Sequence, residues 1–244
     1  MLNMVRTILV TGSNQGMEDP SWICLGRHTV HQLAQTPDDV HASSSVVPVQ
    51  LDITDDASIK AAHSFIADHL KGKGIGGLDV LVNNAGIVGK TFEECYSVNV
   101  FGTVAVTEAL RPLISKGGAI LNISSDLGSL ALHTKRPPPP VYPAYSSSKA
   151  ALNSLTLQWA IQEEQKGSNI RVVSVNPGYN ATNLNNYAGT MDPADGCKII
   201  VKTALEKEGR SGVFFDKDQD LACWSNVIQL SVELRLRQWP GPVS

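Results

Sequence analysis

The stretch Arg6-Thr7-Ile8-Leu9-Val10-Thr11-Gly12-Ser13-Asn14-Gln15-Gly16-Met17 decides the fold. Its first half is a short apolar, partly β-branched run, the pattern of a buried strand. It then breaks into a turn with two glycines, whose bare backbone can approach a phosphate when a helix follows and offers free N–H groups. Helical spacing of Val30, Leu33 and Ala34 places that helix over Gly26–Gln35. Downstream the alternation continues. Strands are expected at Ser45–Ile53, Leu78–Val82, Ala119–Ser124, Ile170–Asn176 and Gly212–Phe215. Helices are expected at Asp56–Leu70, Thr91–Ile114, Tyr142–Lys166 and Asp192–Glu208. Strands alternating with helices imply an α/β, doubly wound parallel sheet covered on both faces.

Composition agrees. The chain has 244 residues, 42% hydrophobic and 18% charged, with a net charge of −3. One large α/β domain fits that length. The balance of charge argues against a dedicated nucleic-acid binder, which needs clustered Lys and Arg. Cys24, Cys95, Cys197 and Cys223 lie far apart and form no metal-like pair, so no metal site is expected and the thiols read as reduced. No secretion signal and no stretch near the ~18 apolar residues of a membrane span is seen, so the expectation is a cytoplasmic protein with no membrane partner. Prolines run unbroken from Pro137 to Pro140, and with His133–Arg136 they read as a stiff polar surface loop.

The first turn departs from the pattern it begins. Glu18 stands where a third glycine belongs, and the glycine that opens the helix is Gly26. Glu18–Leu25 therefore reads as an insertion between the phosphate loop and its helix. The passage from Ala34 to Asp52 is also too short for a β-α-β unit, which takes about 30 residues with its flanking strands. The second strand, which carries the residue that reads the adenosine ribose, and its following helix are expected to be absent or reduced. Both departures predict weak dinucleotide binding.

Tyr145-Ser146-Ser147-Ser148-Lys149 sets a phenol and an ammonium on one face of a helix. Free tyrosine titrates near 10, too high for efficient acid/base work, and a neighbouring cation favours the phenolate. Asn122-Ile123-Ser124-Ser125 and Leu81-Val82-Asn83-Asn84-Ala85-Gly86 each end a strand in polar residues at its carboxyl end, where ligands of α/β sheets sit. Asn99 lies inside an otherwise apolar helical segment and needs buried partners.

With these residues on the page, the sequence resembles the short-chain dehydrogenase/reductase family. The matches are Thr11-Gly12-x-x-x-Gly16, Leu51-Asp52, Asn83-Asn84-Ala85-Gly86, Asn99, Ser125, Tyr145-x-x-x-Lys149 and Asn176-Pro177-Gly178 with Thr182, in family order. The ending Gly212–Asp218 with Trp224 is similar to the carbonyl-reductase-like branch. The resemblance implies a Rossmann-type domain over residues 1–224, with 225–244 as a C-terminal extension in which Val227, Leu230 and Leu234 would share one helix face. It implies Tyr145 as acid in reduction and base in oxidation, and Ser125 on the substrate oxygen. Lys149 would act on the tyrosine and the nicotinamide ribose, and Asn99 on a proton-relaying water. It also implies cofactor contacts from Gly12, Asn14, Gly16 and Met17, from Asp52 and Ile53 beside the adenine, and from Asn84 and Gly86 at its ribose. Pro177, Gly178 and Thr182 would hold the carboxamide end.

The implied function is an NADP(H)-dependent oxidoreductase, NAD not excluded, that interconverts a ketone and a secondary alcohol, with a role in secondary metabolism open. The alternatives kept beside it are a redox-inactive cyclase or isomerase on the same scaffold and a non-catalytic binding protein. The substrate pocket is expected from Gly86–Phe92, Leu127–Tyr142 and Tyr179–Met191, with Tyr142, Tyr179 and Tyr187 as candidate contacts. A homodimer or homotetramer is expected, since Ala151, Leu152, Leu155 and Trp159 form an apolar stripe beyond the catalytic face.

Overall fold

The computed structural model describes residues 6–12, 47–134 and 140–222. Among these residues, five parallel strands form one sheet in the order of the chain, β1 (Ile8–Val10), β2 (Leu78–Asn83), β3 (Ile114–Ile123), β4 (Arg171–Val175) and β5 (Val213–Phe215). Register runs Ile8 to Val80, Val80 to Ala119, Ile120 to Val172 and Val173 to Val213.

The runs are largely apolar because both faces are covered, and alternate side chains serve opposite cores. Leu81, Ile120 and Val172 pack with Ile59, Ile66 and Leu70 of helix α1 (Asp56–Gly72). Val106 and Leu110 of α3 (Thr103–Leu110) and Trp159 of α5 (Pro143–Lys166) complete that core. Val80, Val82, Leu121, Val173 and Val175 face the other way, against Cys197, Ile200 and Ala204 of α6 (Pro193–Leu205). Helix ends carry their expected caps. Asp55 accepts the Ala57 N–H at α1, Asp192 accepts the Ala194 N–H at α6, and Gly167 closes α5 at φ 61°.

Several expectations are corrected. The helix placed over Thr91–Ile114 is broken. A short α2 (Phe92–Tyr96), entered by a Thr91–Glu94 capping box, passes into a π-helical turn at Ser97–Gly102 and then into α3. A 3₁₀ turn at Arg111–Leu113 with Pro112 ends the helical path, and Ile114 already belongs to β3. The strand expected at Ser45–Ile53 forms no ladder over residues 47–53, because no strand partner lies beside it among the described residues. The apolar stripe of α5 is not left open: Leu152 and Trp159 are 2% and 3% exposed, inside the monomer core. His133 closes a one-turn helix α4 (Leu130–His133) rather than opening a loop. The helix Gly26–Gln35, the insertion Glu18–Leu25, most of the proline run and the tail beyond residue 222 lie outside the described residues. Among those described, β1 has β2 as its single neighbour.

Candidate active site

The carboxyl ends of β1 to β4 meet at one edge. Thr11 ties two of them, its hydroxyl accepting from the N–H groups of Asn84 and Ala85 at 3.1 and 3.2 Å. The Asn84 amide returns a bond to the Thr11 carbonyl at 3.0 Å. Gly12 sits at φ 68°, and a Cβ there would lie 2.5 Å from the Ala85 Cα, so only glycine fits between the two turns. Asn14, Gly16 and Met17, expected on the same turn, lie outside the described residues.

Asn99 stands on the π-helical turn and is fully buried. Its Oδ1 accepts from the Ile87 N–H at 2.8 Å, and its Nδ2 donates to the Ile87 carbonyl at 2.9 Å and to Ser148 Oγ at 3.0 Å. The amide thus pins the loop after β2 to the turn of α5 that carries Tyr145 and Lys149. Gly86 passes so close that a Cβ on it would lie 3.3 Å from both Asn99 Oδ1 and Lys149 Nζ.

Lys149 is 4% exposed and donates to the Ile123 carbonyl at 2.8 Å. Its Nζ lies 5.8 Å from the centre of the Tyr145 ring. Tyr145 packs with Cys95 and Ala144, and its phenol is hydrogen-bonded to the Ser125 hydroxyl. The expectation that Lys149 lowers the phenol's pKa is not met. Burial pushes Tyr145 up to about 12, against the Ser125 bond and with help from the charge of Asp126 and from Cys95. Burial likewise pulls Lys149 down to about 8, with Cys95 opposing. Loss of water disfavours both charged forms.

The two serines at the end of β3 separate clearly. Ser124 is buried with a hydroxyl that has no partner among the described residues. Ser125 faces Tyr145 and caps the 3₁₀ turn Asp126–Gly128, accepting from the Leu127 N–H at 3.2 Å. That turn presses on α5, since a Cβ on Gly128 would lie 2.9 Å from the Lys149 backbone carbon.

A buried polar seam beneath the site was missed in the sequence. Asn83 Nδ2 donates to Thr107 Oγ1 at 2.9 Å and to Asn122 Oδ1 at 2.8 Å. Asn122 Nδ2 donates to Thr156 Oγ1 at 2.8 Å, which pairs with Ser174 Oγ at 2.8 Å. Asn83, Asn122 and Ser174 occupy one register row, so the seam crosses three strands and holds α3 and α5 to them. The available signal was an asparagine at the same point of two apolar strands.

The remaining expected residues lie further out. Asp52 accepts from the Thr54 N–H and hydroxyl, which hold its carboxyl below its usual range. Ile53 is 4% exposed, and a Cβ on Gly102 would lie 2.7 Å from its carbonyl, so its side chain belongs to the core. Gly178 takes φ 84° beneath the Met191 sulfur, and Thr182 forms a reciprocal cap with Asn185. Tyr142, Tyr179 and Tyr187 are about half exposed. Among the described residues no group of His, Cys, Asp and Glu could hold a metal ion, and no helix is long and apolar enough to cross a membrane.

Comparison with known proteins agrees with this geometry. A family model described as short chain dehydrogenase matches residues 6–193. Short-chain dehydrogenase anuI of Penicillium roqueforti is 29% identical over 239 residues, covering 82% of this chain and 88% of its own length. Short-chain dehydrogenase/reductase tropE of Talaromyces stipitatus is 31% identical over 242 residues, covering 80% of this chain and 85% of its own. The structure is similar to that of the NADPH-bound carbonyl reductase from chicken fatty liver, with a TM-score of 0.73 and 26% identity over 90% of this chain and 99% of that one. The chain therefore belongs to the short-chain dehydrogenase/reductase family of oxidoreductases and is carbonyl-reductase-like.

Proposed function

We propose that the protein is an NADP(H)-dependent oxidoreductase interconverting a ketone and a secondary alcohol. The observation that carries this is the meeting of Tyr145 and Ser125 through their hydroxyls, with Lys149 and Asn99 behind them, from three separate elements. The described residues fit a nicotinamide dinucleotide. Gly12 and Gly86 leave backbone bare where a side chain would collide, and Asn84, Pro177, Gly178 and Thr182 stand along the same edge. When bound, the nicotinamide supplies the hydride chemistry. The preference for NADP is supported by the similarity to the NADPH-bound chicken enzyme.

The chain's own residues would do the acid/base work. Tyr145 stays protonated across the neutral range and donates to the carbonyl oxygen as negative charge develops there. Ser125 holds the same oxygen, and Lys149, charged below about 8, stabilises the phenolate left behind. Asn99 fixes the floor of the site through Ile87 and Ser148. The same reading takes residues 1–224 as the catalytic domain and the assembly as a homodimer or homotetramer, for which exposed Leu157 and Ile161 on α5 offer apolar surface. The test is loss of NADPH absorbance with a panel of aryl and alicyclic ketones. Turnover with NADPH that exceeds turnover with NADH supports the reading, and no turnover with either removes it.

A further inference from the structure

Asp126 follows the serine at the reacting edge and is exposed. Its Oδ1 accepts from the Ser125 hydroxyl at 3.1 Å and from the Leu127 N–H at 2.9 Å. No hydrogen bond or ion pair reaches its Oδ2 among the described residues. Among the described residues, the basic groups near it are engaged elsewhere, Lys149 on the Ile123 carbonyl and His133 Nε2 on the Leu127 carbonyl at 2.9 Å. Among the described residues this carboxylate has no cationic partner, and it stands one hydrogen bond from Ser125, which is itself one hydrogen bond from Tyr145.

This arrangement has a chemical consequence that rests on the ketone-reductase reading above. A serine hydroxyl has one proton. Here Asp126 accepts it, while the Ser125 oxygen accepts from the Leu127 N–H. A substrate carbonyl that needs this proton competes with a carboxylate, and hydrogen bonds to a charged acceptor are roughly twice as strong as neutral ones. A neutral ketone competes poorly, and an anionic one is also repelled by the charge. A substrate that carries its own cation a few bonds from the carbonyl engages Asp126 and frees the serine proton for the carbonyl oxygen.

We infer that Asp126 is a specificity-determining residue, whose carboxylate selects carbonyl substrates bearing a protonated amine over neutral and anionic ones. The test uses acetophenones with a meta aminomethyl, ethyl or carboxymethyl group, and wild type beside Asp126→Asn, which preserves an oxygen able to cap Leu127. In wild type, kcat/KM should fall in the order aminomethyl, ethyl, carboxymethyl, with the first at least about fivefold above the second and the gap shrinking as salt rises. In Asp126→Asn the three should converge and the ethyl compound should gain. Equal use of the aminomethyl and ethyl compounds by wild type, or an unchanged order in Asp126→Asn, overturns the proposal. Calorimetric titration of the same ketones, with NADP⁺ present and absent, separates it from the redox reading. A charge preference in affinity that Asp126→Asn abolishes supports the role of Asp126 even without turnover. Affinities independent of substrate charge overturn it whether or not the enzyme turns over.

Discussion

Lys149 Nζ and the Ile123 carbonyl lie 2.8 Å apart, and this bond ties α5, which carries Tyr145, to the end of the strand that leads to Ser125. It holds the two halves of the site in register: Tyr145 comes from the helix, Ser125 from the strand, and both positions follow from a cation buried between them. The phenol's pKa is raised all the same, because burial disfavours the phenolate.

The burial of Lys149 makes stability depend on pH. Its pKa is 10.5 when unfolded and about 8 when folded, so between these values the unfolded chain binds more protons and stability rises with pH. Below about 8 both states are protonated and the full cost of burying the charge is felt. Urea titrations should show Lys149→Met gaining relative to wild type at pH 7, with the difference narrowing by pH 9.5. The expected gain at pH 7 is about 3 kcal/mol, set by the shift at 1.36 kcal/mol per unit. A difference independent of pH contradicts the assignment.

Asn99→Ala removes both bonds to Ile87 and the bond to Ser148. Leaving the buried groups without partners should cost about 2–4 kcal/mol, read as a lower midpoint in urea. A loss of rate with unchanged stability would show that Asn99 acts in the chemistry alone.

Gly102→Ala tests the π-helical turn. The new Cβ would lie 2.7 Å from the Ile53 carbonyl, a backbone atom that cannot rotate away. The substitution should destabilise by about 1–3 kcal/mol, while alanine at Gly74, with nothing near its Cβ, is strained only by φ 66°. Equal midpoints for wild type and Gly102→Ala would contradict the close packing.

The sheet was legible because burial on both faces leaves short, largely apolar and β-branched runs, as in Leu78–Val82 and Ile170–Asn176, whose ends fell within a residue or two of those observed. Residues 47–53 look the same locally, but a strand exists only where a neighbour completes its ladder, and no periodicity reports that neighbour. The π-helical turn was hidden for a related reason: Val98, Val100 and Phe101 suit either helical spacing. The site residues were legible as a motif set, and the structure brings Asn99, Ser125, Tyr145 and Lys149 together. Their electrostatics were not legible, since the spacing of Tyr145 and Lys149 shows a cation nearby and says nothing of burial. The partnership of Asn83 with Asn122 depends on register between strands far apart in the chain.

The first turn carries its own prediction. In the sequence, Glu18–Leu25 reads as an insertion that sets a negative charge and extra chain between Gly16 and the helix expected from Gly26. Losing two charge-assisted contacts at about 1.5–3 kcal/mol each weakens binding by roughly two orders of magnitude or more. Calorimetry should find weak NADPH binding to the full chain and a gain on deleting Glu18–Leu25. Tight binding with no gain on deletion would make the insertion a working part of the site.

The central claim is that Tyr145 delivers the proton in an NADPH-dependent ketone reduction. The most direct measurement compares wild type and Tyr145→Phe at NADPH concentrations raised until the wild-type rate no longer increases. The account predicts ketone-dependent NADPH oxidation by wild type, a fall of about 10²–10⁴-fold in kcat for Tyr145→Phe, and NADPH affinity within about twofold of wild type. Turnover retained by Tyr145→Phe, or a loss explained wholly by weaker NADPH binding, would contradict it.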